Sequence, residues 1–137
     1  MALPTSLELR IVTPERLLVS EQVDEVEIPG SEGYFGVLPG HTPLLALLDP
    51  GELWYRKAAA KTSLVIDFGL AEVLPDRVTV LVNFAEKPEA IVPAKEAEVQ
   101  ASAERDMKQA RTLDEAERAR VALVTAQMRQ RVAGKKA

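Results

Sequence analysis

Residues 30–45 read GSEGYFGVLPGHTPLL, and this stretch decides the fold of the chain around it. Glycine recurs in it at every third position, 30, 33 and 36, and the pair Pro39-Gly40 follows. Glycine permits a positive φ angle or a close approach between backbone segments, and a Pro-Gly pair is typical of a turn. The spacing lacks the Gly-Lys-Ser/Thr ending of a phosphate-binding loop and opens no helix, so we interpret these glycines as turn residues.

Short apolar segments separated by turn signals lie on both sides of this stretch. Leu7, Leu9 and Ile11 alternate with polar residues in a half-buried strand that ends at Thr13-Pro14. Further strands are predicted around 23–28, 44–48, 52–57, 64–68, 70–73 and 78–82. Gly69 lies between two of them and predicts a β-bulge or a point of close packing. Because no intervening segment has room for a helical crossover, we predict an antiparallel sandwich or barrel over residues 1–87.

The chain changes character after Pro93. All nine prolines lie at or before this position, and residues 94–110 contain many alanines but neither glycine nor proline. Proline suits the first turn of a helix, and alanine is the strongest helix former. Thr112 and Glu115 form a capping box for a second helix, which runs from 113 to about 132 and which Gly134 ends. Residues 88–137 are therefore predicted to form an antiparallel two-helix hairpin behind a mainly β domain.

This hairpin has little apolar surface with which to hold itself together. Its large apolar side chains form one stripe at helical spacing, which consists of Val121, Val124, Met128 and Val132. Most other candidate core residues are alanines, and a free two-helix hairpin of this size is not stable alone. We therefore expect it to dock on the sandwich or on another protein, weakly enough to exchange between two sites. The alternative is a weakly docked terminal hairpin with no second site.

Charge is distributed unevenly along the chain. Residues 1–87 contain 7 Lys/Arg and 13 Asp/Glu, whereas residues 88–137 contain 10 and 8, and no acidic residue follows Glu117. An acidic body with a basic tail suits a tail that meets an acidic surface, although solvated helix faces explain the pattern equally well. The acidic β part has no basic groove with interleaved aromatics, which argues against nucleic-acid binding.

Residue types that carry catalysis are sparse. His41 is the sole histidine, there is no cysteine, and no serine has a nucleophile-elbow context. The cluster Asp24, Glu25 and Glu27 lacks the pattern of a calcium loop. We therefore expect no catalytic residue, metal or cofactor. No apolar stretch approaches the roughly 20 residues that span a bilayer. No signal peptide is evident either, so we expect a cytoplasmic protein or one held at a membrane by a partner.

Residues 30–45 closely resemble the pattern GxxGxxGxxPGHxPLL of ATP synthase epsilon subunits. The similarity continues through LELRIVTPERLL at 7–18, VDEVEIPG at 23–30, LLDPGEL at 47–53 and FGLAEVLPDRVTVLVNFAE at 68–86. It covers nearly the whole chain, strongly through residue 87 and more loosely in the alanine-rich helices.

The resemblance implies a non-catalytic rotor subunit in the central stalk of a proton-driven F-type ATP synthase. The sandwich is implied to bind the gamma subunit and the c-ring, with its loop end near the c-ring. Glu32, Tyr34, Phe35 and His41 are the candidate contacts, since a Tyr-Phe pair exposed on a loop would anchor an interface. For His41 the alternative is a hydrogen bond that fixes the loop, and for Phe35 it is a place in the core. Membrane association is implied only through the complex, at the cytoplasmic face of a bacterial plasma membrane.

The tail resembles an inhibitory switch. It is implied to lie folded on the sandwich, or to extend along gamma to the catalytic alpha and beta subunits and block ATP hydrolysis. Arg118 and Arg129 are eleven residues apart and share one helix face, and Arg120 and Arg131 share another. These four arginines are the candidate contacts to an acidic segment of a catalytic subunit.

Some bacterial members of this family bind ATP through the motif I/L-D-x-x-R-A at the start of the tail. Residues 91–96 match it only at Ile91, because Val92 replaces the aspartate, Lys95 the arginine and Glu96 the alanine. Lysine does not reproduce the bidentate geometry of arginine at a phosphate. We therefore expect weak ATP binding or none.

Two other interpretations compete with this one. The first is a β-sandwich adaptor module with a helical tail in another assembly, which would form no stable complex with a gamma subunit. The second is an enzyme whose site forms between subunits, for which the sequence offers no converging set of residues.

Overall fold

A computed structural model of the chain describes residues 3–134, and the chain divides into two compact units between Ala85 and Glu86. This boundary lies two residues before the one predicted from the sequence. The first unit holds β1 (Leu7–Val12), β2 (Leu17–Val23), β3 (Glu25–Gly30), β4 (Gly33–Val37), β5 (Leu44–Leu48), β6 (Gly51–Lys57), β7 (Ala60–Ile66), β8 (Gly69–Leu74) and β9 (Arg77–Val82). The short strand β10 (Ala85–Glu86) contains the boundary. The second unit holds a 3-10 turn (Pro88–Ala90), α1 (Pro93–Gln109) and α2 (Leu113–Ala133).

The first unit is a β-sandwich, as predicted. Its strands run in the order β4-β3-β6-β7 in one half and β5-β8-β9-β1-β2 in the other, joined where Gly30 pairs with Leu48. One apolar cluster contains buried residues from β1 to β9 in both halves, so the two halves pack face to face. β1 and β9 run parallel, whereas the hairpin pairs β1–β2, β3–β4, β6–β7 and β8–β9 are antiparallel. A parallel pair needs a long connection, and here most of the unit lies between the two strands.

Besides the two-residue β10, two strands were missed in the sequence. β2 was not distinguished from its neighbours, because it buries only Val19 and Val23 while Ser20 to Gln22 are exposed. The segment 33–37 was interpreted as part of a turning loop but is β4, which pairs with β3 along its whole length. Turn-favouring glycines at the first and fourth positions of this five-residue strand hid it.

The glycines of the quoted stretch play different roles. A Cβ atom on Gly30 would lie 2.7 Å from the carbonyl oxygen of Gly33. Gly33, the first residue of β4 after the β3–β4 turn, has φ +126°, and Gly40, after Pro39, has φ +87°. Turn geometry and close packing therefore account for these three. Gly36 has no positive φ, and a Cβ atom added to it would have no other atom within 4 Å.

Both helices begin as predicted. Pro93 occupies the first turn of α1, and the hydroxyl of Thr112 accepts a hydrogen bond of 3.1 Å from the backbone N–H of Glu115 at the start of α2. The Glu115 carboxylate reaches back one residue further than a capping box requires, to the backbone N–H of Arg111 at 2.9 Å. Gly134 follows the helix in a right-handed conformation, not the left-handed one common after helices.

Small residues dominate the buried part of the hairpin. The buried apolar positions of the two helices are Ala103, Ala119, Ala126, Val132 and Ala133. Within the predicted stripe Val132 is buried, whereas Val121, Val124 and Met128 are half-buried. No helix within residues 3–134 combines the length and apolar character needed to cross a membrane.

Gly69 has the least room for a side chain among the glycines of the sandwich, which confirms the close packing predicted there. A Cβ atom at this position would lie 2.0 Å from the carbonyl oxygen of Leu81, on the neighbouring strand β9. We expect Gly69→Ala to lower the free energy of unfolding by about 1–3 kcal/mol, because β8 and β9 would have to separate.

Urea denaturation followed by circular dichroism measures this effect. Gly36→Ala is the matched control, since nothing lies within 4 Å of the added carbon, and its free energy of unfolding should change by less than about 1 kcal/mol. Equal stability of the two variants would show that the Gly69 contact does not constrain the sandwich.

Candidate interaction surface

An apolar row crosses the outer face of one half of the sandwich. The strand register places Leu47 beside Leu70, Leu70 beside Leu81, Leu81 beside Val12 and Val12 beside Leu17. Leu47, Leu81 and Leu17 are 67%, 48% and 53% exposed, and the other two are half-buried. We call these five residues the apolar row. At about 4.8 Å per strand spacing it is about 19 Å long.

The next row on the same face is mostly polar. Leu45 lies beside Glu72, and the row continues across β9, β1 and β2 through Thr79, Arg10 and Ser20. Single exposed apolar residues are normal on a protein surface, but a contiguous set with a polar border is typical of an interface.

A groove continues the apolar row at one end. It lies between the β3–β4 turn and β5, has a volume of about 450 Å³, and is lined by Gly30, Ser31, Glu32, Gly33, Tyr34, Phe35 and residues 44–47. Leu47 belongs to both the row and the groove. At the other side of the row, a shallow depression of about 460 Å³ is lined by Val12, Pro14, Phe68 and Leu81, among others.

The apolar row was not found in the sequence. The run Leu44–Leu48 was predicted as a short strand, yet only Leu48 in it is buried. A strand with one buried face should alternate apolar with polar residues, so the extra leucines were the available signal. The row itself depends on the pairing of five strands, which periodicity within one strand does not reveal.

The predicted contact residues near the turn separate into two groups. Glu32 is exposed in the β3–β4 turn, and Tyr34 is 52% exposed while its hydroxyl accepts a 3.2 Å hydrogen bond from the backbone N–H of Glu52. Phe35 packs against the apolar cluster. The prediction of a Tyr-Phe pair exposed on a loop was therefore wrong. Both residues belong to β4, where successive side chains point to opposite faces.

His41 forms local hydrogen bonds. Its ring Nδ1 lies 2.6 Å from the carbonyl oxygen of Thr42, and its backbone N–H donates to the carbonyl oxygen of Leu38 at 3.2 Å. The residue is half-buried. These contacts favour the alternative in which His41 fixes the loop.

Three of the four candidate arginines have partners within α2. Arg118 pairs with Asp114 at 2.8 Å, Arg120 pairs with Glu117 at 2.6 Å, and the Arg131 guanidinium lies 2.6 Å from the Met128 sulfur. The hydrogen bonds from Arg120 lower the pKa of the exposed Glu117 carboxyl.

Arg129 differs from the other three arginines, because it pairs with Glu86 outside the helix. Arg118 and Arg129 share a helix face by spacing, but their side chains are 73% and 20% exposed.

Residues 91–96 surround the first turn of α1. Ile91 is buried, Val92 and Lys95 are exposed, and Glu96 is buried. Glu96 was noted in the sequence only as a mismatch to an ATP-binding motif, and its burial gave no signal there. Within residues 3–134, no group of three or more acidic or histidine side chains is arranged to hold a metal ion.

Comparisons of the sequence with known proteins point to one family. Residues 6–88 match the family described as ATP synthase, Delta/Epsilon chain, beta-sandwich domain. The chain is 41% identical to the ATP synthase epsilon chain of Herpetosiphon aurantiacus over 93% of each protein. It is 51% identical to that of Solibacter usitatus over 65% of this chain and 66% of the relative. It is 42% identical to that of Nitratidesulfovibrio vulgaris over 94% of this chain and 96% of the relative.

Solved structures agree in fold. A chain in the cryo-EM structure of the Euglena gracilis mitochondrial ATP synthase (OSCP/F1/c-ring) aligns with a TM-score of 0.84 and 25% identity, covering 93% of this chain and 81% of that one. A chain from the Tetrahymena thermophila mitochondrial ATP synthase central stalk and c-ring aligns with a TM-score of 0.65 and 13% identity, covering 96% of this chain and 99% of that one.

Proposed function

Because this chain belongs to the family of ATP synthase epsilon chains, we propose that it is a central-stalk rotor subunit of a proton-driven F-type ATP synthase and has no active site of its own. The observation that carries this proposal is the extent of the similarity. It covers 93% of the chain in the Herpetosiphon relative, and so includes residues of both units. The chain in the Euglena F1/c-ring structure is similar over the same share.

The apolar row and the adjoining groove support a role in binding the gamma subunit. Together they offer exposed leucines with a polar border on strands whose opposite faces are locked into the core. Such a surface loses unfavourable contact with water when an apolar partner covers it. The gamma subunit is the partner we assign to it, since the rotor requires a permanent attachment between these two chains.

The turn between β3 and β4 supports a second contact, to the c-ring. Glu32 is exposed in this turn, and Tyr34 follows it in β4, where the hydroxyl is anchored by the hydrogen bond that it accepts from β6. An anchored side chain loses less conformational entropy on binding than a free one. We propose that the β3–β4 turn, with Tyr34 beside it, faces the c-ring. Membrane association would then come only through the complex, at the cytoplasmic face of a bacterial plasma membrane, in keeping with the bacterial relatives.

For the hairpin we propose a regulatory role. Its small buried residues give it weak apolar packing, and α2 carries Arg118, Arg120, Arg129 and Arg131. In an extended state these arginines would meet an acidic segment on the catalytic alpha and beta subunits and slow ATP hydrolysis. Exposed ion pairs are each worth about 0–1 kcal/mol, so several must act together.

The gamma contact is tested by Leu47→Glu in a binding titration with the gamma subunit of the same organism. Burying a leucine side chain is worth about 1.5–3 kcal/mol, so we expect the dissociation constant to rise at least about tenfold. Leu113→Glu is the control, because Leu113 is 91% exposed and lies in the hairpin. Unchanged affinity of the Leu47 variant, with the control also unchanged, would exclude the apolar row as the gamma contact.

The regulatory role is tested by truncation after Lys87 in a reconstituted complex of alpha, beta and gamma subunits. We expect the truncated chain to bind and the rate of ATP hydrolysis to exceed that with the full chain, because the arginines of α2 are removed. If both chains bind and the two rates agree, the hairpin does not inhibit. If neither chain binds, the stalk assignment fails and the adaptor interpretation takes its place.

ATP binding by the isolated chain is tested by titration calorimetry. We expect no binding at millimolar ATP, because Val92 and Lys95 replace the aspartate and arginine of the family motif and Glu96 adds a buried carboxylate. Binding at millimolar or lower ATP that disappears in Lys95→Ala would contradict this expectation.

A further inference from the structure

Three charged residues from three parts of the second unit meet at the base of the hairpin. They are Glu86 at the end of β10, Glu96 in the first turn of α1, and Arg129 in the last two turns of α2. Arg129 donates from Nε and Nη2 to the two carboxylate oxygens of Glu86, at 2.8 and 3.0 Å. Its Nη1 lies 3.6 Å from Oε2 of Glu96. We call these three residues the hairpin clamp.

The clamp is more sheltered from water than the Arg118–Asp114 pair of the same hairpin. The side chains of Arg129 and Glu96 are 20% and 10% exposed, whereas Arg118 and its partner Asp114 are 73% and 79% exposed. A two-pronged Arg–carboxylate contact has fixed geometry and is stronger than a single contact in water. Water screens the clamp less than it screens the Arg118–Asp114 pair.

Glu96 depends on Arg129 in particular. Its Oε2 is buried and, within the described part of the chain, accepts no hydrogen bond. Arg129 Nη1 is the cation that lies beside this oxygen. A buried carboxylate without a compensating charge is unfavourable, so removing Arg129 would leave an uncompensated charge inside the hairpin.

Contacts next to the clamp continue the same link between the helices. The amide of Gln130 donates to Oε1 of Gln100 at 2.6 Å, which joins α2 to α1. Ala126 and Val132, one turn to either side, are fully buried. At the other end of the hairpin, by contrast, the ion pairs that Arg118 and Arg120 form with Asp114 and Glu117 join residues of α2 to one another.

We propose that Arg129 is an internal latch: Glu86 and Glu96 hold it while the hairpin is closed, and opening the hairpin exposes it to an acidic partner. This inference rests on the regulatory role proposed above, because it names the contact that must break before the tail can act. Any external carboxylate has to compete with two internal ones for the same guanidinium. The latch therefore sets how readily α2 leaves α1, whereas the Arg118–Asp114 pair can persist when the helices separate.

Hydrogen exchange in the isolated full-length chain tests the latch without any partner subunit. The variant is Arg129→Met, which keeps most of the apolar stem and removes the charge. We expect the amides of residues 125–133 to exchange about ten to a hundred times faster, the range that loss of a hydrogen bond to a charged group allows. Amides of β1 and β9 serve as the internal reference and should not change.

Two further variants separate an ionic role from a packing role. Arg118→Met, on the same helix face, should change exchange by less than about threefold, since its pair is exposed. The double variant Glu96→Gln/Arg129→Met should exchange more slowly than Arg129→Met alone, because it removes the buried charge that Arg129 compensates. Equal exchange in Arg129→Met and Arg118→Met, or a double variant no slower than Arg129→Met, would overturn the latch.

Failure of the latch and failure of the proposed function are distinguishable. If exchange responds as expected but truncation after Lys87 leaves ATP hydrolysis unchanged, the latch holds and the inhibitory role fails. If truncation raises hydrolysis but Arg129→Met leaves exchange unchanged, the inhibitory role holds and the latch is overturned.

Discussion

The burial of a single apolar cluster between the two halves of the sandwich is the constraint on which the first unit depends. Side chains of a strand alternate between faces, so a strand that buries one set of residues must expose the other. Leu48, Ala71 and Val80 face the cluster, and their neighbours in the chain therefore face outward. The position of the apolar row is therefore fixed by the core. If the strands that carry the row shifted by one residue, polar side chains would point into the apolar cluster. The apolar row is therefore held in place by the same strands that form the core.

The second unit is held together in a different way. The buried apolar residues of its two helices are four alanines and one valine. The hairpin clamp is a sheltered polar contact beside them. Alanine removes little apolar area from water, whereas each leucine or isoleucine of the sandwich cluster removes several times more. Parts of a protein with few large apolar contacts open at a lower free energy than the core does. A polar clamp suits the hairpin, because directional ion pairs hold α1 and α2 in one arrangement without adding much apolar contact between them.

The sequence predicted those features that depend on residues close together in the chain, and missed most of those that depend on distant residues. The strands around 52–57 and 78–82, both helix starts and the Thr112 cap were predicted, because alternation, proline position and capping act over a few neighbouring residues. β4 was missed because its glycines favour turns, so Tyr34 and Phe35 were expected on a loop and the core position of Phe35 was given only as the alternative. The apolar row and the clamp needed pairs of residues that are far apart in the chain: Glu86 and Arg129 are 43 positions apart. Periodicity carries no information about such pairs.

The two units differ in ways that suit the two roles proposed for them. A rotor subunit must stay attached under load, which favours a large, preformed apolar surface on a well-packed sheet. A regulatory segment must leave its resting place at a modest free-energy cost, which favours small side chains and a contact that another charged surface can replace. In this chain the apolar row lies on the rigid unit, and the exchangeable charges lie on the hairpin. If the apolar row lay on the hairpin and the exchangeable ion pairs on the sandwich, the attached part would detach easily and the regulatory part would stay bound. The observed arrangement therefore supports the roles proposed for the two units.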